Sequence, residues 1–220
     1  MNMLPLRAAH FALIAATALV VGSTPANAVT WNLGTPSGDL GSTHTYTVGG
    51  FSITAAGFTN STFSTAVHLY GKNNGGDEVG LGLMNDPTGE HEISGTSLIR
   101  IDFSSARLAG LKGFTFSMDS STQSEGWSVY GSNSAATLYT LLMSGQDENA
   151  HTLTGTADTY SFYYFIYKSF GSQYGQGNNV LLTSISAAPL PPAVLLFGTA
   201  LVGMGVLARR RRKNAVADAQ

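Results

Sequence analysis

Residues 97–119 read SLIRIDFSSARLAGLKGFTFSMD, and the two ends of this stretch decide the fold class. In 97–103, Ile99, Ile101 and Phe103 alternate with Arg100 and Asp102. In 113–119, Phe114, Phe116 and Met118 alternate with Thr115, Ser117 and Asp119. A period of two puts the apolar side chains of an extended chain on one face and the polar ones on the other, which is the pattern of a half-buried β-strand. Further candidate strands are Phe51 to Ala55, Trp127 to Tyr130, Thr137 to Met143, Tyr160 to Lys168 and Val180 to Ala187, separated by Gly, Asn, Asp and Ser. No segment of the middle carries a helical stripe longer than two turns. Many short strands and no helix predict an all-β domain, a β-sandwich or jelly roll.

The ends of the 220-residue chain are built differently. Residues 1–28 carry a cation at Arg7, an apolar run from Phe11 to Gly22 and the triplet Ala26-Asn27-Ala28. Small residues at Ala26 and Ala28 suit the narrow pocket of a signal peptidase, so cleavage after Ala28 is expected. The apolar run is too short for a retained spanning helix. At the other end, Pro192 to Ala208 is free of charge and is followed by Arg209, Arg210, Arg211, Arg212 and Lys213. As a helix it would be about 26 Å long, at the short end of what crosses a bilayer. The cations would stop transfer and hold the last residues, 214–220, in the cytoplasm. Glycines at 198, 203 and 205 suit a membrane helix better than a soluble one. Between these ends lies a domain of residues 29–187.

That middle carries 5 basic and 12 acidic residues, an excess of seven negative charges that argues against nucleic acid as a partner. There is no cysteine, so disulfides, thiol nucleophiles and thiolate metal sites are excluded.

Three prolines within Pro189-Leu190-Pro191-Pro192 hold the chain extended just before the apolar segment, which an ordinary anchor does not require. Proline motif, short glycine-containing apolar segment and arginine cluster together resemble the C-terminal sorting signals of the PEP-CTERM class. The nearest variant is named for Val-Pro-Leu-Pro-Ala, and Ala188-Pro189-Leu190-Pro191-Pro192 matches three of its five positions. The resemblance implies a bacterial surface protein recognised by an exosortase, a membrane-embedded transpeptidase, and cut near the proline motif. It implies export across the inner membrane, C-terminal anchoring with the domain in the periplasm, and release to the cell surface or extracellular matrix. A structural or adhesive role beside exopolysaccharide follows, with no catalysis. The order Gly80-Leu81-Gly82, an acidic loop from Asp86 to Glu92, Ile101-Asp102-Phe103, Phe114 to Asp119 and Trp127 to Gly131 also resembles the domain that often precedes such tails. It implies a galactose-binding-like jelly roll.

The densest acidic segment runs from Asp77 to Glu92. Asp86, Glu90 and Glu92 offer oxygen ligands in a glycine-bearing loop, which suits a structural calcium ion; the competing reading is a solvated loop. The same carboxylates as a glycosidase acid–base pair, or a Ser–His–Asp triad drawn from His44, His68, His91 and His151, would make a secreted carbohydrate-active hydrolase. No G-x-S-x-G or H-E-x-x-H supports catalysis. In Tyr160 to Tyr167, Tyr160, Phe162, Tyr164 and Ile166 are expected on the core face. Tyr163, Phe165 and Tyr167 then fall on the other face, either beneath loops or as an exposed platform on which a sugar ring stacks, as in a carbohydrate-binding module.

Overall fold

The alternation in residues 97–119 is realised as two strands that belong to different sheets. A computed structural model describes residues 27–73, 78–119, 125–169 and 179–189. In chain order its strands are β1 (Val29–Asn32), β2 (Gly38–Asp39), β3 (Thr43–Val48), β4 (Phe51–Phe58), β5 (Ala66–Val67), β6 (Leu69–Asn73), β7 (Val79–Leu83), β8 (Ile93–Ser94) and β9 (Leu98–Asp102). They continue as β10 (Leu111–Asp119), β11 (Trp127–Ser132), β12 (Thr140–Gly145), β13 (His151–Thr152), β14 (Phe162–Tyr167) and β15 (Asn179–Pro189). A single short helix, α1 (Ser104–Leu108), and a 3₁₀ turn at Gly155–Thr159 complete the described elements.

Helix α1, which the strand pattern does not anticipate, carries the chain from β9 to β10. The Asp102 carboxylate accepts the Ser104 amide at 2.9 Å and so turns the chain as β9 ends. Gly110, at φ 89°, ends the helix with its amide donating to the Arg107 carbonyl at 2.9 Å.

Two antiparallel sheets result. One runs β13-β10-β15-β7-β6-β2, with β1 and β8 also paired to β15. The other runs β12-β11-β14-β9-β4-β3, with β5 beside β4. Both contribute to one core, in which Trp31, Phe103, Phe114, Phe116, Trp127, Tyr163 and Phe165 are fully buried. The fold is therefore all-β and sandwich-like. Ile99, Ile101, Phe103, Phe114, Phe116 and Met118 are buried as the alternation predicts.

The parity expected for β14 is reversed. Tyr163 and Phe165 face the opposing sheet, against Phe114 and Phe116, while Tyr164 is buried on the outer face. There Phe63 packs on its ring at 5.3 Å, and its hydroxyl donates to the Ser134 carbonyl at 2.6 Å. β14 lies between β11 and β9 with both faces covered, so bulky residues on both parities carry no sign of which side is the core.

Candidate functional site

The acidic segment folds around a cation that sequence spacing does not single out. Lys72 on β6 is 8 % exposed, and its ammonium meets three carboxylates. It donates to Glu92 at 2.5 Å and to Glu78, and lies 3.7 Å from Glu90. Carboxylate oxygens of Glu78, Glu90 and Glu92 all lie within 4.8 Å of one another. Glu78 precedes β7, and the two other acids come from the loop that leads into β8.

Gly82 explains how that loop comes so close. A Cβ at this position would sit 1.9 Å from the His91 carbonyl oxygen, so only glycine lets the loop backbone cross β7 here. His91 adopts a positive φ of 62° at the crossing, and its ring packs on Tyr70 at 4.2 Å. Glu92, the next residue, is thereby driven inward to 1 % exposure.

Asp86 corrects the expected ligand set of Asp86, Glu90 and Glu92, because its side chain is spent inside the loop. It accepts the Thr88 amide at 3.2 Å, the Thr88 hydroxyl at 2.6 Å and the Glu92 amide at 3.3 Å. Burial alone would raise its pKa, but these donors outweigh burial and hold the carboxyl below the ordinary range. Glu78 takes its place in the trio. A shared signal was present in the sequence: Lys72 is one of only five cations between the two ends, and Glu78 sits inside the acidic segment.

The electrostatics follow from burial. Removal from water pushes the Glu92 carboxyl up to about 7; Lys72 pulls it down, and the adjacent Glu78 adds to the rise. Burial would lower the Lys72 pKa, but hydrogen bonds to Glu78 and Glu92 raise it, so the ammonium stays charged. The cluster is an ion-paired knot that can take up one proton near neutrality. The Lys72 ammonium lies within 4 Å of a carboxylate oxygen of each of the three acids.

The aromatic platform is also corrected. Tyr163 and Phe165 are fully buried and only Tyr167 is half-exposed, so the three cannot present a flat surface to a sugar. Trp31 and Trp127 are fully buried too. The Trp31 indole donates to the Phe51 carbonyl at 3.2 Å, and the Trp127 indole to the Asp147 carbonyl at 2.9 Å. His68 and His151 meet carboxylates, Asp39 at 3.0 Å and Asp147 at 2.7 Å.

A groove of about 350 Å³ opens where β1 of one sheet faces β3 of the other. It is lined by residues 30–32, 35–36 and 44–48, and none of these side chains is an acid, a lysine or an arginine. Tyr46, in its wall, donates to the Leu33 carbonyl at 3.0 Å.

Of the processing residues, Ala28 directly precedes β1, and Pro189 closes β15 opposite Leu111. Ala26, Leu190, Pro191, Pro192 and Arg209 to Arg212 lie outside the described residues. Among the described residues no helix is long and apolar enough to cross a membrane; Pro192 to Ala208 falls outside them. Comparison with protein-family models, curated proteins and solved structures found no match for this chain.

Proposed function

We propose that this chain is the precursor of an exported bacterial surface or extracellular-matrix protein, processed at both ends and structural or adhesive in role. A signal peptidase removes residues 1–28. The apolar segment and arginine cluster then hold the C-terminus in the inner membrane while an exosortase cuts near Pro189 to Pro192. The domain is of the jelly-roll type and acts as a scaffold beside exopolysaccharide. The observation that carries this reading is the tripartite tail: stiff prolines, an uncharged segment of 17 residues and five cations in succession.

The domain boundaries support it. Strand pairing begins at Val29, one residue after the expected first cut, and ends at Pro189, within the proline motif. Residues 27–189 form one compact unit. The first cut would thus spare every described strand, and the second would fall at or just beyond the last residues of β15. Replacement of Pro189, Pro191 and Pro192 by alanine is the test. The variant should accumulate in the inner membrane with its tail intact, while the wild-type chain leaves it. Equal release of both would refute recognition of the proline motif.

A further inference from the structure

We propose that copies of this chain join head to tail by strand pairing, β12 of one copy against β3 of the next. The seven-stranded sheet would then run on from copy to copy. The inference rests on the edges of that sheet and is independent of whether the tail is processed.

Strands β12 and β3 end the path β12-β11-β14-β9-β4-β3, and among the described residues each pairs with one neighbour only. All five pairings along the path are antiparallel. Six strands in alternation leave β12 and β3 running in opposite directions. A copy displaced along the sheet, and turned about that direction to follow the sheet's twist, therefore brings its β3 antiparallel to the first copy's β12. Their core-facing sides lie on the same side of the joined sheet. No other rearrangement is needed to continue the ladder.

The β3 edge also lacks the usual protection, and β12 has only a bulge. Soluble proteins blunt sheet edges with charge, proline, bulges or very short strands. The other sheet follows this rule, because its terminal strands β13 and β2 have two residues each. Strands β3, THTYTV, and β12, TLLMSG, have six residues each and contain no charge and no proline. A bulge at Leu142 is the one irregularity of β12, and it leaves regular segments on both sides. Five large apolar residues are exposed among the described residues, and three belong to these edges: Val48 on β3, Leu141 on β12 and Tyr139 just before it. Tyr139 is 77 % exposed and Leu141 50 %. Beside β3 the uncharged groove of about 350 Å³ gives room for side chains of the arriving strand.

The joint is heterologous, since two different edges meet, and a rotation combined with displacement along its own axis never closes on itself. The product is an open fibre rather than a dimer.

The absence of cysteine makes the test direct. Two variants of the full chain, Thr45→Cys on β3 and Leu141→Cys on β12, are purified separately in mild detergent and treated with a short bis-maleimide. Thr45 and Leu141 are both exposed, so neither substitution disturbs the core. Mixed together, they should give a cross-linked pair in several-fold excess over either variant alone. Thr43→Lys, introduced into the Thr45→Cys variant, keeps both cysteines and should weaken the pair several-fold by placing a charge on the joining edge. Cross-links confined to single-variant samples would indicate a two-fold contact and overturn the proposal. No cross-link in any mixture, with a single monomeric boundary in sedimentation, would overturn it as well.

Discussion

Phe114 and Tyr163 stack face to face between the two sheets, their ring centroids 3.8 Å apart and their planes inclined by 22°. One ring comes from β10 and the other from β14, so this pair joins the sheets at the centre of the core. The Tyr163 hydroxyl accepts from Arg107 at 2.8 Å and donates to the Ala157 carbonyl at 3.2 Å. Burial lifts its pKa well above the ordinary phenol value. Tyr163→Ala should cost about 3–5 kcal/mol through loss of the buried ring. Tyr163→Phe keeps the stack and should cost about 1–2 kcal/mol, because Arg107 loses an acceptor. Urea midpoints of the two variants test that order.

Asp158 fastens the 3₁₀ turn to β10 from the same region. Its carboxylate accepts the Gly113 amide at 2.8 Å and the Phe114 amide at 2.9 Å. Asp158→Ala leaves two partly buried amides without acceptors, at about 1–3 kcal/mol each. Hydrogen exchange should accelerate at Gly113 and Phe114 before it does at Phe165.

The Lys72 knot makes stability depend on pH near neutrality. The Glu92 carboxyl titrates at about 7 in the folded chain against an ordinary 4.5, so between these values the folded state holds a proton that the unfolded state has released. Stability is therefore greatest below about pH 4.5 as far as this group is concerned, and falls as pH rises through 7. The loss amounts to about 3 kcal/mol at most. Glu92→Gln keeps the size of the side chain and removes the proton, so it should flatten the decline. A wild-type urea midpoint that rises from pH 5 to pH 8 would contradict the assignment.

Removal of the cation is a sharper perturbation. Lys72→Met leaves three carboxylates together and should cost about 3–5 kcal/mol. Calcium should restore much of that loss in Lys72→Met, because the ion then has the space the ammonium held. In the wild-type chain millimolar calcium should shift the melting temperature far less, a contrast that thermal melts with and without chelator measure.

Gly82 tests the loop crossing. Gly82→Ala places a methyl group 1.9 Å from the His91 carbonyl oxygen and must push the loop away from β7. The cost should be about 3 kcal/mol, with Glu92 drawn out of the knot and the decline of stability near neutral pH lost.

The strands whose core side sequence reading finds are those with clean alternation. β9 and β10 follow it through Ile99, Ile101, Phe114 and Phe116. β3, β6 and β7 escape it for reasons visible in their packing. Thr43, Thr45 and Thr47 stand exposed on an edge strand, so β3 reads as polar. β6 and β7, LYGKN and VGLGL, carry glycines where neighbouring backbone leaves no room for a side chain, and glycine weakens any strand pattern. At the site, the acidic loop was legible as a cluster, but its partner was not. Lys72 lies twenty residues before Glu92, and only the antiparallel pairing of β6 with β7 brings the two together. Asp86 misled because an Asp two residues before a Thr is equally suited to closing its own turn, as it does here with Thr88.

Intact-mass measurement of the mature protein from its native cells tests the central claim most directly. The account predicts a product that begins at Val29 and ends between Ala188 and Pro192. A product that retains the arginine cluster and ends at Gln220 would contradict it.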